Sequence, residues 1–162
     1  MSLEIERKFM IEDFPNHLEL LKSAYVEQGY VSANPEVRIR HGIDEITGKE
    51  NYTLTIKGDG TLSREEIETD VDKSFYEQVV KFIHKPMITK KYRCYLLGGH
   101  RLEVSLVDEG TEHEFCYAEI EFPSEEEANA FVKPEFLGEE VTEDEGGKMI
   151  TYWLETRFNP IL

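Results

Sequence analysis

Apolar side chains fall on alternate positions near the start of the chain. Leu3, Ile5, Phe9 and Ile11 lie on one parity, interrupted by Arg7, and Glu4, Glu6 and Lys8 lie on the other. A period of two predicts a strand with one apolar and one polar face. The pattern returns at Glu36 to His41, with Val37 and Ile39 opposite Arg38 and Arg40. From Asn51 to Lys57, Tyr52, Leu54 and Ile56 oppose Thr53, Thr55 and Lys57. Then Ile67 and Val71 oppose Arg64, Glu66, Glu68 and Asp70. Tyr25 to Ser32, Met87 to Leu97, His100 to Asp108 and Phe115 to Phe122 complete a set of eight predicted strands. Asn34-Pro35, Thr47-Gly48-Lys49, Gly58-Asp59-Gly60 and Gly98-Gly99 supply turns between them.

Helical signals are fewer. Asp13-Phe14-Pro15 is expected to open a short helix carrying Leu18, Leu20 and Leu21. Asp72 caps a helix to about Ile83, with Phe75, Val79, Val80 and Phe82 as its apolar stripe and Pro86 as its stop. Ser124 caps another to about Val132, and Glu127 completes a capping box. Asp144 to about Arg157 reads as helical despite Gly146-Gly147. Eight antiparallel strands with a few helices make the class α+β. Such strands form an open sheet with its charges in water, or a closed barrel with its charges inside.

At 162 residues, 40% hydrophobic and 32% charged, the chain reads as one globular domain spanning 1–162. Its formal charge of −16 argues against nucleic-acid binding by bulk electrostatics, so an anionic ligand needs a local basic cluster or a metal ion. No apolar run is long enough to cross a membrane as a helix. Cys94 and Cys116 have no ligand spacing and read as buried thiols. With no leader pattern at the N-terminus, a cytoplasmic protein is expected. The histidines show no metal-ligand spacing, and Tyr25, Tyr30 and Phe131 read as core.

The charges choose between sheet and barrel, because the predicted strands are sorted by sign. Arg38/Arg40 and Lys91/Arg93 are basic pairs, whereas Glu4/Glu6, Glu66/Glu68 and Glu119/Glu121 are acidic ones. Carboxylates two apart on a strand sit about 6.5–7 Å from each other and repel unless a cation lies between them. One shared cavity accounts for all the pairs, with basic strands meeting a polyanion and acidic strands holding divalent metal. That is equipment for phosphoryl transfer.

These residues resemble the CYTH family, the triphosphate tunnel metalloenzymes, over nearly the whole chain. Glu4-x-Glu6-x-Lys8 is similar to the family's first-strand motif. Gln28-Gly29-Tyr30, Arg38-x-Arg40, Lys57, Arg64-x-Glu66-x-Glu68, Lys91-x-Arg93, Glu119-x-Glu121 and the run from Gly138 to Asp144 follow in the family's order. The resemblance implies an eight-stranded antiparallel closed barrel with a few peripheral helices. It further implies Mg²⁺ or Mn²⁺ on Glu4, Glu6, Glu119 and Glu121, and phosphates on Lys8, Arg38, Arg40, Lys57, Arg64, Lys91 and Arg93. Glu66 and Glu68 become candidates for handling the attacking water, alongside Lys8 and Arg38 as catalytic groups.

Two departures stand out. Glu103 is followed by Ser105 where bacterial relatives have an Asp, and Gly147-Lys148-Met149 stands where the family has Tyr-x-Asn. Lys148 is still expected to reach the phosphates. The expected activity is hydrolysis of inorganic tripolyphosphate, a small-molecule polyphosphate, with no nucleic-acid or membrane partner and a homodimer as the family's suggestion. The alternatives are a class IV-type adenylyl cyclase, a nucleoside or thiamine triphosphatase, or a polyphosphate-binding module without turnover.

Overall fold

The computed structural model describes residues 2–158; Met1 and residues 159–162 of the expected 1–162 domain lie outside them. Eight strands run as β1 (Ser2–Met10), β2 (Glu19–Ala33), β3 (Glu36–Asp44), β4 (Glu50–Lys57), β5 (Ser63–Asp70), β6 (Ile88–Leu97), β7 (His100–Val107) and β8 (Phe115–Glu121). They close into an antiparallel barrel in the order β1-β5-β4-β3-β2-β6-β7-β8, with β8 returning to β1. The inward faces of the eight strands therefore line a bore.

β1 shows how the barrel closes. Ser2 to Ile5 pair with β5, and Glu6 to Met10 pair with β8 on the other edge. Beyond Ile5 the edge that β5 vacates is taken by residues 138–142. Val141 donates its N–H to the Lys8 carbonyl at 2.8 Å, and Gly138 donates to the Met10 carbonyl at 2.7 Å. A Cβ at Gly138 would lie 2.9 Å from that Met10 oxygen, so only glycine allows the approach.

Directly paired residues of antiparallel strands share a face. Ile5, Phe9, Val104, Ala118 and Ile120 thus form an outer apolar layer. It is covered by α2 (Glu125–Ala130), the chain after it, and Phe14 and Leu18. A second cluster joins Tyr30, Ile88, Val107 and Tyr117 to Ile150 and Trp153 of α3 (Met149–Arg157). Arg157 anchors α3 by donating to Asp108 at 2.8 Å and to the Met87 carbonyl at 3.0 Å. The third helix, α1 (Lys73–Ile83), lies against β2, β3 and β4, and the Asp72 side chain caps it by accepting from the Phe75 N–H.

The expected helix at Asp13–Leu21 is absent. Residues 13–18 form turns, and β2 begins at Glu19, with Leu20 paired to Tyr95 of β6. Pairing along β6 outweighs a short helical pattern of three leucines. In α1 the buried residue is Tyr76, while Phe82 is 86% exposed, so the expected stripe lies about one residue off. Tyr25 is also partly exposed. The last expected helix divides into a 3₁₀ turn at Glu145–Gly147 and α3. Asp144 caps that turn by accepting from the Gly146 N–H. Cys94 and Cys116 are buried free thiols, as expected.

Candidate active site

The inward faces enclose a cavity of about 230 Å³. One wall is acidic: β1 contributes Glu4 and Glu6, β8 contributes Glu119 and Glu121, and β7 contributes Glu103. The facing wall is basic, with Arg38 and Arg40 from β3, Lys57 from β4 and Lys90 from β6. Lys8, Arg64, Glu66 and Glu68 complete the lining, and Lys148 reaches it from beyond the 3₁₀ turn.

Without an anion the bases lean on protein oxygens. Lys57 Nζ lies 3.0 Å from Glu4 and 3.7 Å from Glu66. Arg64 pairs with Glu36 at 3.1 Å. Arg40 donates twice to the Gln28 side-chain oxygen, at 3.0 and 2.8 Å. Lys8 donates to the Gly147 carbonyl, and Lys90 to the Tyr117 hydroxyl. Arg38 donates from Nη2 to Thr55 Oγ1 at 3.2 Å, and that hydroxyl contacts Glu68 at 3.4 Å. The Arg38 Nε is buried with no acceptor among the described residues. A buried donor left unmatched costs roughly 1–3 kcal/mol.

The acids are crowded. Glu6 is raised well above the ordinary carboxylate range by burial first, then by the neighbouring Glu119 and Glu4 carboxylates. Glu119 is held low in spite of its burial, because the Lys8 and Lys90 ammoniums face it. Burial also raises Glu66, Glu103 and Glu121, and neighbouring carboxylates add to the effect. Burial lowers Lys8, and lowers Lys90 further because Arg40 stands near it.

Among the described residues no three acids, imidazoles or thiolates converge as a ready-made metal centre. The donor set still suits a hard cation, since Glu4, Glu6, Glu119 and Glu121 bring only carboxylate oxygens to one wall of the cavity. Mg²⁺ usually takes one or two carboxylates and completes its shell with water and substrate phosphate. Crowded acids on one wall of an anion-sized cavity fit that mode, and a protein cage does not.

Twelve of the fourteen residues singled out in the sequence line this cavity. Lys91 and Arg93 do not. Both face outward: Lys91 pairs with Glu109 at 3.0 Å on the surface, and the Arg93 guanidinium lies 4.3 Å from the centre of the Phe14 ring. β6 turns Lys90, Tyr92 and Cys94 inward instead, because Lys90 pairs with Val26 and Cys94 with Glu103. Tyr30, Glu36, Lys90, Glu103 and Tyr117 also line the cavity, while Gln28 accepts from Arg40 and Tyr92 donates to Glu103; none of these was predicted in the site. The tyrosines and Gln28 resemble core residues in sequence, and Lys90 is hidden beside Lys91.

A closed barrel with opposed acidic and basic walls defines a class, a tunnel for polyanions. The relatives narrow it. The chain is 35% identical over 145 residues to the inorganic triphosphatase of Nitrosomonas europaea, spanning 87% of this chain and 90% of that protein. It is 32% identical over 150 residues to the inorganic triphosphatase of Acetivibrio thermocellus, spanning 89% and 88%. A solved inorganic triphosphatase structure superposes with a TM-score of 0.64 at 29% identity, covering 95% of this chain and 96% of the other. No family model matches the chain. The chain belongs to the inorganic triphosphatase family.

Proposed function

We propose that this protein hydrolyses inorganic tripolyphosphate to pyrophosphate and phosphate, as a triphosphate tunnel enzyme of the CYTH type. The observation that carries the reading is the basic wall with its unmatched Arg38 Nε. A phosphate oxygen would satisfy that donor and replace the protein oxygens now held by Lys57, Lys8 and Arg40. Arg38 and Arg40 share the β3 inward face and can hold neighbouring phosphoryl oxygens as planar forks. In the reaction a water oxygen bonds to the terminal phosphorus and the bond from that phosphorus to the bridging oxygen breaks. Glu66 and Glu68 line the cavity beside the basic wall, and in this reading one of them takes the water's proton. Lys8, Lys57 and Arg64 meet the negative charge on the departing pyrophosphate.

Mg²⁺ or Mn²⁺ would be held by Glu4, Glu6, Glu119 and Glu121. Bound there, it would neutralise phosphoryl charge that carboxylates alone repel. No helix among the described residues is long and apolar enough to cross a membrane. The two buried free thiols suit a reducing cytoplasm.

Phosphate release from tripolyphosphate, ATP and thiamine triphosphate, each with Mg²⁺, Mn²⁺ or chelator, tests the reading. Tripolyphosphate is expected to turn over fastest, only with metal, and Glu6→Gln is expected to abolish turnover. Faster hydrolysis of a nucleotide would overturn the substrate assignment, and unchanged turnover in chelator would overturn the metal.

A further inference from the structure

Tyr117 is the least expected group in the bore. It follows Cys116 in an apolar stretch of β8 and is 1% exposed, yet it points inward beside Glu119. Two lysines converge on it. The Lys8 ammonium lies 4.1 Å from its ring centre, and the Lys90 ammonium lies 5.1 Å from it and donates to the hydroxyl. These lysines come from strands on opposite sides of β8 in the barrel order, with β7 between β8 and β6.

Resting on the function proposed above, we infer that Tyr117 is a positioning residue that gathers Lys8 and Lys90 into one phosphate-binding pair before substrate arrives. The physical need is plain. Lys90 has Arg40, Arg38 and Lys8 for neighbours, and Lys8 has Lys57 and Arg64, so the two ammoniums repel each other and the cations around them unless an anion is present. An aromatic face attracts an ammonium through its negative π-cloud, and the phenol oxygen accepts one N–H. Neither contact uses all three ammonium hydrogens, so each lysine keeps donors free for phosphate. The Gly147 carbonyl holds Lys8 from the other side. A lysine carries much rotamer entropy, and anchoring it beforehand removes that loss from the binding step.

The test separates the ring from the hydroxyl and position from fold. Tyr117→Phe keeps the ring under Lys8 and removes the acceptor of Lys90, with little change of volume. It is expected to raise KM for tripolyphosphate about threefold to fivefold and to change kcat less than about twofold. Tyr117→Leu also removes the ring and is expected to raise KM about tenfold further. A merely structural role would lower the active fraction, hence kcat, and leave KM alone.

The decisive arm is a double-mutant cycle. Lys90→Met raises KM, and adding Tyr117→Phe to it is expected to raise KM no further. Full additivity, or a wild-type KM in Tyr117→Phe, would overturn the inference. Calorimetric binding of tripolyphosphate to the same variants reads the same coupling without turnover. Tight, coupled binding in a wild type that releases no phosphate would sink the hydrolase reading and uphold the role of Tyr117.

Discussion

β3 and β6 carry similar basic pairs and treat them in opposite ways. Arg38 and Arg40 face the bore, with Ile39 between them buried on the outside. Lys91 and Arg93 face outward, and Arg93 lies over Phe14 beside an outer layer that also takes Tyr95. Spacing alone cannot make this distinction. The other parity decides: on β3 it is apolar and must be outside, whereas on β6 it is Lys90, Tyr92 and Cys94, which a wet or a buried face can accept. A basic i, i+2 pair marks a ligand wall only when its alternates have nowhere else to go.

The strongest way to break this comparison is to remove one arginine from each strand. Arg40→Ala is expected to lower kcat/KM by at least about 100-fold, since it removes a buried fork from the anion wall. Arg93→Ala is expected to stay within about twofold of wild type. Similar losses in steady-state kinetics would mean that β6 turns over in solution.

Chemistry within β3 sharpens it further. Arg38→Lys keeps the charge and loses the planar donor set with the unmatched Nε. An expected tenfold loss corresponds to about 1.4 kcal/mol of transition-state stabilisation. A near-wild-type kcat/KM would show that charge alone suffices at this position.

Within β6, adjacent lysines should behave differently. Lys90→Met is expected to raise KM about fivefold, and Lys91→Met is expected to leave it unchanged. The reverse result would restore the pairing inferred from the Lys91-x-Arg93 spacing.

The facing of β6 follows from the turn that ends it. The Gly98-Gly99 turn is a two-residue hairpin in which Leu97 pairs with His100, and this register sets Cys94 opposite Glu103. With Glu103 inward, the even-numbered residues of β6 must also be inward. Turn chemistry therefore held the answer that charge spacing concealed. The other strands were legible because Glu4/Glu6, Arg38/Arg40 and Glu119/Glu121 alternate with residues that only a core accepts. The Asp13–Leu21 segment was not legible, since Leu20 is fixed by Tyr95, far away in sequence. Tyr30, Tyr92 and Tyr117 stayed hidden because a tyrosine suits either face and only neighbours such as Lys8, Lys90 and Glu103 show its role.

The smallest expected effect contrasts the acidic wall with the basic one. Burial, reinforced by Glu119 and Glu4, raises Glu6 above its unfolded value, so the folded chain binds more protons than the unfolded chain. Stability from this group is fully present below the unfolded pKa and is lost as pH rises through the raised one. The metal-free, ligand-free protein is therefore expected to melt a few degrees lower as pH climbs from about 5 to 7.5. Glu6→Gln should flatten that slope, because the amide cannot ionise. Scanning calorimetry showing equal slopes in both proteins would remove Glu6 as the source.

The dual pairing of β1 also has a consequence for synthesis. β1 leaves the ribosome before the other strands of the barrel, and Lys8 waits for Glu119 of β8, roughly a hundred residues later. At about 5–20 residues per second, that is roughly 5–20 s with an unpaired edge. During this time the strand exposes Ile5 and Phe9, with Glu4 before them and Glu6 and Lys8 between them. Those charges make the nascent segment a poor template for other chains. The residues proposed to grip metal and phosphate in the finished barrel thus also protect its first strand while it waits to be closed.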